Sequence, residues 1–257
     1  MAFSLSAVFR LAASFALVIC FLISGASAAR LPDQVVRFDA EKDCVNELEI
    51  DNQSVEKYNA ITRNSKVEYS PTEPAEGTTK ERRAIEVRAQ ITTAVYEDRL
   101  KQGDTRIGSD TRRRTCPPGW IKLNQDGKET QRSHLLAREF GGSGRDIRNV
   151  VTGFPRFNGM RGMGRFETRV MKWFEDGAIS GDDYVMYKVK AEYVAKEIQE
   201  HPTGVIMEAR TVIKEEEKER FKVRVLNKES GRIIEELTTD GGNPSPPSKT
   251  TTTTTTD

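Results

Sequence analysis

Apolar residues at Met163, Phe166, Val170, Trp173 and Phe174 recur at helical spacing, which predicts an amphipathic helix over 162–176 that stops at Gly177. Beyond it the period changes to two. Val185, Tyr187, Val189 and Ala191 alternate with Met186, Lys188 and Lys190, so Tyr184 to Tyr193 reads as a strand. Val205 to Val212 reads as another. Phe221, Val223 and Val225 alternate before a turn ending at Gly231, and Ile233-Ile234 begin a return strand. A helix followed by strands joined through short turns predicts an α+β domain with a mixed, mainly antiparallel sheet.

The ends of the chain follow different patterns. Arg10 precedes an apolar run from Leu11 to Ile23, and Ala26-Ser27-Ala28 is a small-residue cleavage site, so residues 1–28 read as a secretory signal. The run is short of the roughly 20 apolar residues that span a bilayer, which leaves an uncleaved anchor as the weaker reading. No later segment is apolar enough to span. The expectation is a secreted, extracellular protein with no membrane association. Residues 29–79 are polar, with few large apolar groups, and are expected to form a loosely packed arm. Residues 80–238 hold the domain. Residues 239–257, with Pro244, Pro246, Pro247 and threonines from Thr250 to Thr256, cannot build a core and read as a disordered tail or a glycosylated stalk.

Net charge is +1, but it is unevenly spread. Between Thr105 and Lys172 stand 12 Arg and 3 Lys against 6 acids, a net of +9. A basic centre in a balanced chain suggests a local polyanion site, and arginine's planar fork matches phosphate oxygens. The plainer alternative is a solvated basic face. After signal removal two cysteines remain, Cys44 and Cys116; in an exported protein an even pair reads as one disulfide, with two separate thiols as the alternative. Asn52-Gln53-Ser54 is a glycosylation acceptor triplet.

The candidate chemistry sits in the basic stretch. Gln131-Arg132-Ser133-His134-Leu135-Leu136 is followed by Gly141-Gly142-Ser143-Gly144, Asn149 and Asn158. His134 is one of two histidines in the chain, the other being His201, which reads as an exposed loop residue. A neutral imidazole can take a proton from water near pH 7, and an Asn oxygen can hold a hard divalent cation. Pro117-Pro118-Gly119-Trp120, a ten-residue spacer, the His134 motif and the Asn149/Asn158 pair together resemble the DNA/RNA non-specific endonucleases, in particular secreted bacterial nucleases of DNA uptake. These belong to the ββα-metal, or His-Me finger, group.

The resemblance covers about residues 80–235. It implies a ββα-metal core, a phosphodiester hydrolase that cuts DNA and RNA to 5′-phosphate products, and a Mg²⁺ cofactor for which Mn²⁺ can substitute. It makes His134 the general base, Arg132 the motif's arginine, Asn158 the metal ligand and Asn149 a second carboxamide that steadies the metal site. Glu167 resembles a Glu that holds metal-bound water. Arg112, Arg113, Arg114, Arg138, Arg161 and Arg165 are the candidate phosphate contacts. Trp120 reads as packing rather than as a base-stacking platform. No obligate protein partner is indicated. The chain departs from the family pattern at Gln131, where the family has Asp, and at Ser133, where it has Gly. A catalytically impaired nucleic-acid-binding protein on a nuclease scaffold is therefore the rival reading. A surface protein acting through its tail is another.

Overall fold

Strand alternation and one strongly two-faced helix determine the architecture. The computed structural model describes residues 44–45, 50–74, 82–101, 114–194 and 201–237, all within the unit Phe38–Asp257. The signal segment and the tail lie outside the described residues. In chain order the strands are β1 (Cys44–Val45), β2 (Lys66–Tyr69), β3 (Glu73–Pro74), β4 (Arg82–Arg83), β5 (Glu86–Thr92), β6 (Arg114–Thr115), β7 (Gln131–His134), β8 (Val150–Gly153), β9 (Tyr184–Glu192), β10 (Gly204–Ile213), β11 (Glu216–Leu226) and β12 (Ile234–Glu236). The helices are α1 (Asn52–Ala60), α2 (Thr93–Lys101), α3 (Trp120–Gln125), the single turn α4 (Pro155–Asn158) and α5 (Met163–Glu175). No described helix is long and apolar enough to cross a membrane.

The main sheet has six strands in the order β12-β11-β10-β9-β5-β2, each antiparallel to its neighbour. The period-two pattern is realised: Val185, Tyr187, Val189 and Ala191 are buried, while Met186 and Lys190 face water. β10 and β11 are joined by Lys214-Glu215, both with positive φ (49° and 70°), the handedness a two-residue hairpin turn requires.

Helix α5 covers this sheet. Met163, Phe166, Val170 and Phe174 are its buried stripe. Phe166 meets Phe221 of β11 at a ring separation of 5.2 Å, and Phe174 stacks on Tyr96 of α2 at 5.0 Å. The helix ends where Gly177 takes φ +69°. A second sheet is the hairpin β7–β8, in which Gln131 faces Gly153, Arg132 faces Thr152, Ser133 faces Val151 and His134 faces Val150. Two strands followed by α4 and α5 make the ββα unit.

The polar arm is corrected. Residues 50–74 are built into the domain. β2 forms the sheet edge against β5, with Val67 opposite Ala89, and Val67 is 2% exposed. Tyr58 of α1 is 3% exposed and its hydroxyl donates to the Gln90 carbonyl at 3.0 Å. Asp51 caps α1 by accepting from the Ser54 N–H at 3.0 Å. Low apolar content misled because an edge strand and a nine-residue helix need only a few buried side chains. Tyr58, Val67 and Tyr69 supply most of them.

If the segment is integral, Tyr58→Ala should lower unfolding free energy by about 3–5 kcal/mol, the usual cost of deleting a buried aromatic side chain. Urea denaturation measures this. A change under about 0.5 kcal/mol, typical of a surface site, would restore the loose-arm description.

Candidate active site

β7 carries the motif and alternation sorts its side chains. Ser133 points into the core and is fully buried. Arg132 and His134 share the other, half-buried face. The space for Ser133 comes from Gly153 across the hairpin: a Cβ there would collide with the Ser133 hydroxyl and the Phe157 ring. The extra side chain at 133 thus fits sterically, while its buried hydroxyl has no hydrogen-bond partner among the described residues.

The Pro-Pro-Gly-Trp segment braces this hairpin. Thr152, opposite Arg132, donates to the Pro118 carbonyl at 2.8 Å. Trp120 is 7% exposed, so it is packing as expected, and the Arg132 guanidinium lies 6.0 Å from its ring. On the far side of the motif, Asn149 is fully buried. Its oxygen accepts from the Leu136 N–H at 2.8 Å, and its amide donates to the carbonyls of Leu136 and Ser143 at 3.1 and 2.8 Å. So bonded, Asn149 is not free to bind a metal directly. Its carboxamide is committed to backbone and shielded from solvent, so its contribution is to hold the loop after His134.

Asn158 is placed differently. It ends α4, is partly exposed, and its amide donates to Gln131 Oε1 at 3.0 Å. Its oxygen has no hydrogen-bond partner among the described residues. Gln131 and His134 are the two ends of one short strand, ~10 Å apart by strand rise. The structure therefore ties Asn158 to the strand that carries His134.

Burial moves two titratable groups toward neutrality. The His134 imidazole is pushed down to about 4, first by burial and then by the positive charges of Arg132 and Arg138. His134 stays partly exposed, yet protein encloses enough of it to disfavour the imidazolium. Glu167, on α5, is pushed up to about 8 by burial and by the neighbouring charge of Glu139. Arg138 is half-buried, while Arg161 and Arg165 are exposed on the turn and helix after Asn158. Arg112 and Arg113 lie outside the described residues. For Arg114 only the strand is described. His201 is corrected from exposed to half-buried, with its ring edge-on to Phe154 at 6.0 Å.

The sequence reading missed a buried polar tie beneath the loop. Asp146 is fully buried. It accepts from Arg148 Nε at 2.9 Å and Nη2 at 2.6 Å and from the Asp51 N–H at 3.0 Å, while Ser143 Oγ donates to Asp51 Oδ2 at 2.7 Å. A Ser-x-x-Asp spacing was the available signal, but Asp51 is remote in sequence and nothing local points to it.

A hairpin that ends in a half-buried histidine with two arginines acting on it, followed by a carboxamide-bearing helical turn, is a ββα arrangement. The chain matches the DNA/RNA non-specific endonuclease family over residues 78–212, and it belongs to that family. Its substrate class is accordingly nucleic acid. Among solved structures it is similar to the Sda1 nuclease with bound zinc (18% identity, 67% of this chain and 80% of that one, TM-score 0.44). It is also similar to an extracellular endonuclease (17%, 76% and 89%, TM-score 0.43) and to magnesium-bound NucA from Streptococcus agalactiae (16%, 67% and 80%, TM-score 0.42). No curated protein matches the chain.

Two outcomes follow from this geometry. Asn149→Ala should cost at least about 2 kcal/mol of stability, because it strands buried backbone groups, while Asn158→Ala should cost under about 0.5 kcal/mol. Thermal melting of both variants checks the contrast. For Glu167 the raised carboxyl means the folded state holds its proton more tightly than the unfolded chain. Stability is then present below about 4.5 and lost as pH rises towards about 8. In chelator, Glu167→Gln should be more stable than the parent near pH 8 and nearly equal to it near pH 4.5. Equal stability gaps at both pH values would show that the carboxyl is not raised.

Proposed function

We propose that the protein is a secreted, metal-dependent endonuclease that cuts DNA and RNA, with His134 as general base and Asn158 as the protein ligand of one Mg²⁺ or Mn²⁺ ion. The observation that carries this reading is the family match over residues 78–212 together with the place of His134, which ends β7 of the β7–β8 hairpin where the charges of Arg132 and Arg138 act on it. A base must be unprotonated, and this one stays so well below neutral pH.

The residues present fit such an ion. Asn158 spends its amide on Gln131 and keeps a hard, neutral oxygen available. Among the described residues no group of three or more His, Cys, Asp or Glu could hold a metal. The donor set therefore suits a cation that keeps most of its own water, as Mg²⁺ does. When bound, the ion supplies charge stabilisation to the phosphate and its leaving oxygen. The chain's own groups do the rest. Arg132 and Arg138 attract the phosphodiester, whose negative charge offsets theirs and lifts the imidazole back towards its usual range. His134 takes a proton from water as the water oxygen bonds to phosphorus. The bond to the 3′ oxygen breaks, that oxygen takes a proton from solvent, and a 5′-phosphate remains. Arg138, Arg161 and Arg165 contact backbone rather than base edges, so base preference is weak. Glu167, whose carboxyl is pushed up to about 8 by burial and by Glu139, would hold a water of the bound ion.

Export rests on the 1–28 segment. A Cys44–Cys116 disulfide accords with it: Cys116 is disulfide-bonded, and β1 pairs with β6 so that Cys44 aligns with Arg114, two residues before Cys116. Gly153 makes steric room for Ser133, whose buried hydroxyl has no hydrogen-bond partner among the described residues, and the impaired-scaffold reading stands as the alternative.

Incubating the mature protein with supercoiled plasmid and with RNA, with and without Mg²⁺, tests the activity. His134→Ala should lose about 10²–10⁴ of turnover while retaining nucleic-acid binding, and His201→Ala should be nearly silent. In the parent, the acid limb of kcat/KM should lie near about 4 rather than at the ordinary histidine value of 6.5, because protonation of His134 abolishes the base. Full cleavage in chelator, or by His134→Ala, would refute the assignment.

A further inference from the structure

We infer that Gln131 is a positioning residue that sets which way the Asn158 carboxamide points, and that its own amide gives the pair two settings. The inference rests on the reading of Asn158 as the cation-holding residue. A carboxamide carries an acceptor and a donor of nearly the same shape, so a half-turn about its last torsion exchanges them at little steric cost. Something outside the residue must decide between the two. At Asn158 that is Gln131, whose oxygen accepts from the Asn158 amide at 3.0 Å. The backbone amides near Asn158 do not compete: Asn158 N–H donates to the Phe154 carbonyl at 3.2 Å and Gly159 N–H to the Pro155 carbonyl at 2.9 Å. With its amide so engaged, Asn158 presents its oxygen, the only atom of the side chain that a cation can use.

Gln131 is well placed for this task. It starts β7 in register with Gly153, so its backbone is fixed by the hairpin, while its side chain is exposed and free of core packing. Its contribution is therefore directional rather than structural. Its chemistry also limits it. An acidic side chain at 131 could only accept, and would enforce the oxygen-out setting. Glutamine can donate as well. If both amides turn over, Gln131 donates to the Asn158 oxygen, and the Asn158 NH₂ group faces the position a cation would take. Cation affinity then scales with the fraction of molecules in the first setting.

The test uses the mature protein, Mn²⁺ as probe, and two substitutions of similar reach. Gln131→Met removes the acceptor without adding charge. Gln131→Glu removes the donor. Because residue 131 is exposed, melting temperatures should be unchanged, which separates positioning from folding. First, in metal-free protein, the assigned side-chain amide resonances of Asn158 should shift in Gln131→Met. Second, Mn²⁺ affinity should fall by about 2- to 10-fold in Gln131→Met, the equivalent of one ordinary hydrogen bond, and should rise in Gln131→Glu. Third, in an Asn158→Ala background, Gln131→Met should have no further effect, whereas the simple charge effect of Gln131→Glu persists. An unchanged Asn158 amide signal in Gln131→Met, or equal loss of affinity with and without Asn158, would overturn the inference. If the parent binds no Mn²⁺ at Asn158, shown by lack of paramagnetic broadening there, the metal reading of the previous section fails instead. The amide shift still decides the orientation claim.

Discussion

Asn149 has four hydrogen-bonding positions to satisfy in a place water does not reach, and it satisfies three of them on backbone either side of the bend after His134. The rest of the site depends on that arrangement. Leu135 and Leu136 turn down into the core directly after the strand, so the chain must leave β7 at a fixed angle. Leu135 N–H donates to the Asn149 carbonyl at 2.8 Å, which extends the hairpin's pairing by one step and completes the bend. Gly142 is drawn so close to the Leu136 carbonyl that no Cβ would fit. Below this, Asp146 holds Arg148 and receives Asp51 from the first helix. The bend after His134 is thus set by buried polar groups, each of which is costly to leave unpaired.

Burial acts on His134 and Glu167 in opposite chemical directions. Burial disfavours charge in both cases, so the imidazole is pushed down and the carboxyl up. In the free protein the site then holds few negative charges and several arginines, a state suited to receiving a polyanion. Arg132 takes part twice: its charge helps to keep His134 unprotonated, and its guanidinium packs over Trp120, which gives a flexible side chain a defined position.

Periodicity made the later half of the fold legible. The α5 stripe and the alternation of β9, β10 and β11 are long patterns, and each element buries one face against the same sheet-and-helix core. The early half was not read. β5 has the same alternation, Val87, Ala89 and Ile91 with Arg88 and Gln90 between them, but over fewer residues than β9, β10 or β11. Residues 50–74 looked like an arm because few of their side chains are apolar, yet Tyr58 and Val67 are nearly inaccessible. Their burial depends on β5, which is distant in sequence from neither but contributes nothing to their local pattern.

Within the site, sequence by itself determined residue types and order: a histidine in an arginine-rich stretch, two carboxamides after it, and the family those residues resemble. That much is a matter of covalent order and side-chain chemistry. Tertiary structure alone separated the two carboxamides. Asn149 and Asn158 are the same residue with the same donors and acceptors, and no local pattern tells a buried brace from a partly exposed side chain. The difference lies in what packs against them. Asn149 is enclosed by its own loop and spends its groups on backbone, whereas Asn158 ends a helical turn beside Gln131 and keeps its oxygen outward. Hydrogen-bond commitments are made between residues far apart in the chain, and they exist only once the chain has folded.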